Sequence, residues 1–180
     1  MKGIVFTEFL EMVEDRFSAD MVDDIIDDAQ PPSGGVYTAV GSYSHAEMVD
    51  LVTALSGRCG VPVLDLVKTF GHHLYGRFAL SHPQFFDGVP DAFQFLANIE
   101  EVIHPEVRKL YPDAELPRFQ IGHRDAQRME LIYISPRHFE DLAEGLITGC
   151  LEHFGEAMRM TRETLGEGDA RQERFVLERV

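Results

Sequence analysis

The sequence predicts an α+β fold in which a helical first half precedes a small antiparallel sheet and one long helix. Apolar residues recur every three or four positions as far as Tyr111, which is the helical period. From Arg118 onwards two segments alternate apolar and polar residues, as half-buried strands do. A long stretch from Pro136 then returns to the helical period, and two further alternating segments follow it.

Local signals set the expected bounds of the first helices. Ser18 is suited to cap the second helix, and the segment QPPSGG ends it. Ser44 and Glu47 have capping-box spacing at the start of the third, which Gly57 and Gly60 are expected to end. Pro62 opens the fourth. We therefore expect helices over about residues 2–17, 19–29, 44–56 and 63–80.

The second half contains the predicted sheet. A helix over about 90–103 is expected to be interrupted at His104-Pro105, with a short helix following to about Tyr111. Segments 118–121 and 129–135 form an antiparallel hairpin around Gly122-His123-Arg124-Asp125. We expect a long helix over about 136–154 and two last strands, 156–162 and 172–178, joined by the turn LGEGD.

The length of 180 residues fits one domain. We predict a single domain over residues 1–180, with a helical lobe over about 1–62 and a second lobe over about 63–180. Apolar residues make up 44% of the chain, which is enough for a sizeable core.

The net charge of −15 argues against nucleic acid or an anionic membrane as a partner, because phosphate neutralisation needs clustered Lys and Arg. No run of 18 or more apolar residues occurs, and the N-terminal segment lacks a signal-peptide cleavage site. We expect a cytoplasmic protein. Cys59 and Cys150 are interpreted as free thiols, and without a CxxC pair we predict no zinc site.

Sequence motifs of common enzymes are missing. The chain has no GxGxxG, P-loop, HExxH, GxSxG or EF-hand pattern. This weighs against a common hydrolase or nucleotide-dependent enzyme, and we predict that the protein is not an enzyme.

Among eight histidines, His104 has the most informative surroundings, although a single histidine at a helix start most often has a surface or capping role. Pro105 places it at a helix entrance, in an apolar segment. Downstream, Tyr133, Ser135 and Arg137 offer a phenol, a hydroxyl and a guanidinium that together can bind carboxylates. The alternative interpretation is a strand end with ordinary polar caps.

These residues stand in an ordered pattern. His104 begins HxxxxxxYP, and Tyr133, Ser135 and Arg137 form Tyr-x-Ser-x-Arg. The opening MKG, the pair Phe70-Gly71 and Pro117 fit the same pattern. Over nearly its whole length the chain resembles the H-NOX (haem–nitric oxide binding) family, which is related to the haem domain of soluble guanylate cyclase.

The resemblance implies a b-type haem held without covalent attachment between the two lobes. His104 would be the proximal iron ligand. Tyr133, Ser135 and Arg137 would bind the haem propionates, and Pro117 would press on the porphyrin and help to distort it. Close to the gas-binding side the resemblance places five apolar residues: Val5, Phe9, Leu74, Phe78 and Leu142.

The same resemblance concerns the choice of gas. Oxygen-binding members carry a tyrosine where this chain has Leu142, so an apolar pocket that binds nitric oxide and carbon monoxide and excludes O₂ is expected. A donor role for Tyr75, which neighbours the mapped pocket, stays open. Nitric oxide would weaken the bond between His104 and iron and so shift the lobes. Stand-alone bacterial members of this kind regulate a separate histidine kinase or cyclic-di-GMP enzyme.

Three alternatives differ from this sensor. A haem-free module could bind another hydrophobic ligand in the same pocket, and a protein-interaction domain would need no chromophore. A haem-dependent enzyme is the third, but an apolar gas-binding side offers no acid or base for O–O cleavage.

Overall fold

The computed structural model describes residues 1–168 and 172–180, and within them it has the predicted α+β class. A 3₁₀ turn covers Pro83–Phe86 and a π-helical segment covers Ile99–Ile103. The α-helices are α1 (Gly3–Arg16), α2 (Ala19–Ala29), α3 (His45–Cys59), α4 (Val63–Ser81), α5 (Ala92–Ala97), α6 (His104–Leu110) and α7 (Glu140–His153). The strands are β1 (Arg118–Arg124), β2 (Arg128–Ile134), β3 (Met158–Leu165) and β4 (Gln172–Arg179).

The predicted N-terminal caps of α2 and α3 are confirmed. The hydroxyl of Ser18 accepts a hydrogen bond from a first-turn backbone N–H at 3.1 Å, and that of Ser44 accepts one at 3.2 Å. The predicted end of α3 at Ser56 is wrong, because the helix continues through Gly57. It ends where Gly60 adopts a left-handed conformation with φ of 73°.

The predicted interruption at His104-Pro105 is also wrong. The chain passes from α5 through the π segment directly into α6. The backbone N–H of His104 bonds to the carbonyl of Ile99, five residues back. A proline inside an α-helix lacks its own N–H and crowds the carbonyl four residues before it. The wider π turn relieves that crowding just ahead of Pro105, so the helix bends without breaking.

The four strands form one antiparallel sheet in the order β1-β2-β4-β3. β1 extends to Arg124, so Gly122 lies within a strand and not in the predicted turn. A bulge between Ile121 and His123 explains the error, because it breaks the alternation on which the strand was recognised.

Other bounds in the second half also differ from prediction. α7 starts at Glu140 and not at Pro136, because His138 has a positive φ of 53° that no helix accommodates. β3 begins two residues later than predicted and runs on to Leu165, the first residue of the predicted turn. Asp169, the last residue of that turn, lies outside the described residues.

Buried side chains fall into two groups. The helical core comes from α1 to α4: Phe6, Phe9, Met12, Val13, Ile25, Met48, Leu51, Val52, Leu55, Leu66, Phe70 and Leu74. The sheet core lies between the sheet, α5 and α7, with Tyr75 from α4: Tyr75, Ala92, Phe93, Phe95, Leu96, Met129, Leu131, Tyr133, Ala143, Ile147, Cys150, Leu151, Phe175 and Leu177. Because α4 contributes to both groups, the lobe boundary near residue 62 stays a prediction.

α4 and α7 are in close contact at two glycines, Gly71 and Gly145, and this contact connects the helical core with the sheet core. A Cβ on Gly71 would lie 2.3 Å from the carbonyl oxygen of Leu142, and one on Gly145 would lie 2.1 Å from that of Lys68. Only glycine lets the two backbones approach this closely. No helix among the described residues is both long and apolar enough to cross a membrane.

Candidate functional site

His104 is a buried histidine whose ring nitrogens form no directed hydrogen bond within the described part of the chain. Its side chain is 9% exposed, and it sits at the junction of the π segment and α6. The nearest polar atom to Nδ1 is Oε1 of Glu100, at 3.0 Å. That distance suits a hydrogen bond, but the ring N–H is not aligned with the oxygen and Nδ1 stays unsatisfied.

Burial lowers the pKa of His104 below its usual value, although the Glu100 carboxylate opposes this by favouring the charged ring. The neutral imidazole therefore dominates at neutral pH. A neutral ring nitrogen is the form that binds a metal.

Phe119 connects His104 to the predicted carboxylate-binding residues. Its ring centroid lies 6.2 Å from that of His104 and 5.5 Å from that of Tyr133, its partner across the β1–β2 pair. Tyr133 is buried at the end of β2, and burial raises the pKa of its phenol. The phenol also interacts with Ser135. The structure thus places His104, Tyr133 and Ser135 on one side of the molecule.

Ser135 and Arg137 follow the end of β2. The hydroxyl of Ser135 accepts a hydrogen bond from the backbone N–H of Arg137 at 3.2 Å. The guanidinium donates to the backbone carbonyl of Glu115 at 3.3 Å and pairs with the Glu115 carboxylate. Arg137 therefore pairs with a carboxylate of this chain, and its predicted role toward haem propionates stays a prediction.

A pocket of about 440 Å³ opens beside Arg137. It lies between the chain start, the start of α3 and the loop before β1, and it is lined by Met1, Lys2, Ser42, Tyr43, Ser44, His45, Asp113, Glu115 and Arg137. Pro117 is half-buried in the same loop before β1. Cationic and hydroxyl groups thus meet at one edge of the predicted site.

Four of the five predicted apolar residues belong to the helical region. Phe9 and Leu74 are buried in the helical core, and Val5 and Leu142 pack against it. Phe78 differs, because it is 38% exposed and belongs to neither core. The structure thus brings Val5, Phe9, Leu74 and Leu142 together without Phe78.

The side chain of Tyr75 does not belong to this apolar group. It lies in the sheet core, where its ring contacts Phe86, Phe95 and His153 at centroid distances of 6.3, 6.0 and 5.9 Å. Its hydroxyl lies beside the Cys150 thiol, whose pKa burial raises to about 12. Tyr75 therefore faces the sheet core and not the apolar group.

The donor set fits a haem better than a metal ion bound by protein alone. No group of three or more His, Cys, Asp or Glu suited to a metal occurs in the described residues. A haem needs only one axial protein ligand, because the porphyrin supplies the equatorial nitrogens. His104, a buried histidine, matches that need, and Tyr133, Ser135 and Arg137 match two carboxylates.

Sequence reasoning did not single out Glu100 or Glu115. Glu100 could have been found from its position four residues before His104, a spacing at which helical side chains meet. Glu115 lies in a loop, where spacing predicts no contact, so only the folded structure brings it to Arg137.

Comparisons with known proteins agree on one family. A family model described as Haem-NO-binding matches residues 2–162. A mutant H-NOX protein from K. algicida in the Fe(II) unliganded state is 39% identical, with a TM-score of 0.93 over 100% of this chain and 97% of that one. An H-NOX protein from S. oneidensis in the Fe(II)NO state is 29% identical, with a TM-score of 0.90 over 100% and 99%.

A third solved relative is the H-NOX from Shewanella woodyi, bound to IWP-051 in the Fe(II)CO state. It is 38% identical and has a TM-score of 0.85, over 100% of this chain and 95% of that one. No curated protein matches the chain. The match to the family model and the likeness to these structures both cover most of the chain, which therefore belongs to the H-NOX family of haem-based gas sensors.

Proposed function

We propose that this protein is a single H-NOX domain over residues 1–180 that binds haem b and senses nitric oxide, and also carbon monoxide, while excluding O₂. The observation that carries the proposal is His104, a buried neutral imidazole whose Nδ1 has no hydrogen-bond partner among the described residues. Phe119 contacts both this ring and that of Tyr133. The bound haem would supply the iron at which the gas coordinates.

His104 would hold the iron through one ring nitrogen. Burial keeps the ring neutral, so no proton has to be displaced at neutral pH. The π segment and Pro105 fix where the ring emerges from the helix.

Tyr133, Ser135 and Arg137 would bind the two propionates. Arg137 presents a fork of N–H donors that already binds a carboxylate, and the two hydroxyls add single donors. Arg137 also lines the 440 Å³ pocket, together with the carboxylates of Asp113 and Glu115. Pro117, in the loop that also carries Glu115, would press on the porphyrin face.

The apolar residues would decide which gas binds. Bound O₂ carries negative charge and needs a hydrogen-bond donor, whereas nitric oxide and carbon monoxide depend on one less. Val5, Phe9, Leu74, Phe78 and Leu142 offer no donor from their side chains.

Phenols near the helical core are also engaged elsewhere. Tyr37 donates to Glu47 at 3.0 Å, and the hydroxyl of Tyr43 accepts from the backbone N–H of Thr38 at 2.9 Å. Tyr75 faces Cys150. This arrangement supports exclusion of O₂.

We also propose that the protein acts in the cytoplasm as a sensor without catalytic activity of its own, and regulates a separate histidine kinase or cyclic-di-GMP enzyme. A difference of about 1–3 kcal/mol in partner binding between the gas-free and gas-bound states is enough for regulation. Adding the protein in each state to the purified enzyme tests this, because equal rates in both states would exclude regulation by gas.

One set of absorption spectra tests the gas-sensing proposal. Protein reconstituted with haem is reduced and recorded under argon, in air, with carbon monoxide and with nitric oxide. We expect a histidine-ligated ferrous spectrum that air leaves unchanged and that both other gases alter. A stable oxygenated spectrum in air would contradict the exclusion of O₂. Absence of a Soret band would favour the haem-free hydrophobic-ligand or interaction module instead.

A further inference from the structure

Glu100 makes two contacts that nothing in the proposed function uses. It lies in the π segment, four residues before His104, and its side chain is 33% exposed. Its Oε1 accepts a hydrogen bond from the backbone N–H of Phe119 at 2.9 Å. The same oxygen lies 3.0 Å from Nδ1 of His104.

The contact with Phe119 fixes the carboxylate from outside its own helix. Phe119 is in β1 and packs between His104 and Tyr133. A side chain bound to a strand backbone loses most of its freedom to swing away, so the oxygen is held where it faces the ring. The structure therefore holds the Glu100 carboxylate beside Nδ1 of His104, the predicted iron ligand.

We propose that Glu100 is a positioning residue for His104: it accepts the Nδ1–H hydrogen bond and so orients the imidazole and strengthens its binding to iron through the other nitrogen. This inference rests on the proposed haem-binding function. Histidine ligands commonly donate their second ring N–H to a carboxylate, which fixes the tautomer and raises the basicity of the coordinating nitrogen. The 3.0 Å separation of Nδ1 and Oε1 is already a hydrogen-bond distance, so the proposal requires a change in ring orientation and not a closer approach.

The two adjacent carboxylates of the π segment differ in their surroundings. Oε1 of Glu100 lies 3.0 Å from the ring nitrogen of His104. Glu101 follows Glu100 in the π segment and is exposed. One carboxylate of this adjacent pair thus faces the ligand and the other faces solvent.

Glu100→Gln tests the charge while keeping the fold. The amide oxygen of Gln still accepts from Phe119, so the tie between the π segment and β1 is preserved. In ferrous protein we expect the resonance Raman iron–histidine stretch to fall to lower wavenumber. We also expect haem transfer to apomyoglobin to be faster by about tenfold, the lower end of the range for partners of metal ligands.

Glu101→Gln is the matched control, because it removes the same charge from the neighbouring position. It is expected to leave the iron–histidine stretch and the rate of haem transfer unchanged. Glu100→Ala removes both contacts, so its additional effect over Glu100→Gln measures the tie to Phe119. Thermal unfolding of the haem-free variants shows whether the fold itself has changed.

The outcomes separate this inference from the function on which it rests. If the wild-type protein shows no histidine-ligated haem, the proposed function fails. If the wild-type protein does show it, and Glu100→Gln has the wild-type stretching frequency and haem-transfer rate, the proposed function stands and the role of Glu100 is wrong. Equal shifts in Glu100→Gln and Glu101→Gln would also contradict it, because they would reflect charge in general.

Discussion

The helical and sheet regions both pair buried carboxylates, but among the described residues only the sheet region contains a buried histidine. In the helical region Glu8 pairs with Arg77 at 2.7 Å, and Glu47 accepts from Ser33 at 2.5 Å. The sheet region pairs its buried carboxylate Asp141 with Arg162 in the same way, at 2.7 Å. It also contains His104, whose Nδ1 has no hydrogen-bond partner among residues 1–168 and 172–180.

This difference bears on where a ligand would bind. Buried polar groups are costly to leave unsatisfied, and among the described histidines His104 is the one that is buried, with Nδ1 lacking a hydrogen-bond partner. The helical core, in contrast, is built from apolar side chains such as Phe9 and Leu74. One region would thus supply the metal ligand and the other an apolar surface for the gas.

Removing the ligand is expected to have the largest effect. His104→Ala should abolish the histidine-ligated ferrous spectrum and most of the retained haem, because no second axial donor lies at this position. Absorption spectra of protein reconstituted in parallel with the wild type provide the measurement. Added free imidazole should restore the ligated spectrum by filling the space. An unchanged axial spectrum in His104→Ala would show that the sheet region does not supply the ligand.

The next largest effect is expected from a substitution at the close contact between α4 and α7. A Cβ at Gly145 would lie 2.1 Å from the backbone oxygen of Lys68, so Gly145→Ala must push α4 and α7 apart. We expect a loss of about 1–3 kcal/mol in the free energy of unfolding, measured with denaturant.

Gly76 provides the matched control on α4. A Cβ there meets nothing within 4 Å, so Gly76→Ala should instead stabilise the protein by about 0.5–1 kcal/mol through its better helix propensity. If both substitutions changed stability in the same direction, the close contact between α4 and α7 would not be what limits position 145.

A hydrogen-bond donor placed among the apolar residues near the helical core should allow the protein to bind O₂. Leu142→Tyr introduces a phenol on α7 beside the helical core. A hydrogen bond to charged bound O₂ is worth about 1.5–3 kcal/mol, so O₂ affinity should rise by about 10–100-fold. Leu142→Phe has nearly the same volume without the hydroxyl and should leave O₂ binding at the wild-type level. Equal O₂ binding by the two variants would show that position 142 does not face the gas.

Much of the helical region was predictable because its signals are local. Ser18 and Ser44 cap the helices that their sequence positions predicted, and left-handed Gly60 ends α3. The class and the sequence order of the elements follow from periodicity for the same reason. Errors arose where backbone geometry departs from the regular period, as at the π segment before Pro105 and the bulge near His123.

The candidate site was predictable to a different degree. His104, Tyr133, Ser135 and Arg137 were found from an ordered motif, and the structure brings His104 and Tyr133 to opposite sides of Phe119. The facing directions of Tyr75 and Phe78 could not be found, because α4 is buried on more than one side. Leu74 lies in the helical core and Tyr75 in the sheet core, whereas Phe78 is exposed. Glu115 was missed since a loop contact depends on the tertiary fold alone.

The smallest expected effect concerns His73, an exception in the helical region because its Nε2 is buried without a hydrogen-bond partner. This histidine of α4 is half-buried, with Nε2 unsatisfied and 3.8 Å from Oε2 of Glu8. Burial lowers its pKa, with Glu8 opposing and Arg77 adding to the shift. The unfolded chain therefore binds the proton more readily than the folded protein does. Stability due to the neutral ring is complete above pH about 6.5 and declines as the pH falls towards the folded pKa.

His73→Gln should reduce this decline between pH 7.5 and pH 5.5 in denaturant unfolding of haem-free protein. If the decline were identical in wild type and variant, His73 would be a partnered histidine, and the helical region would contain no exception.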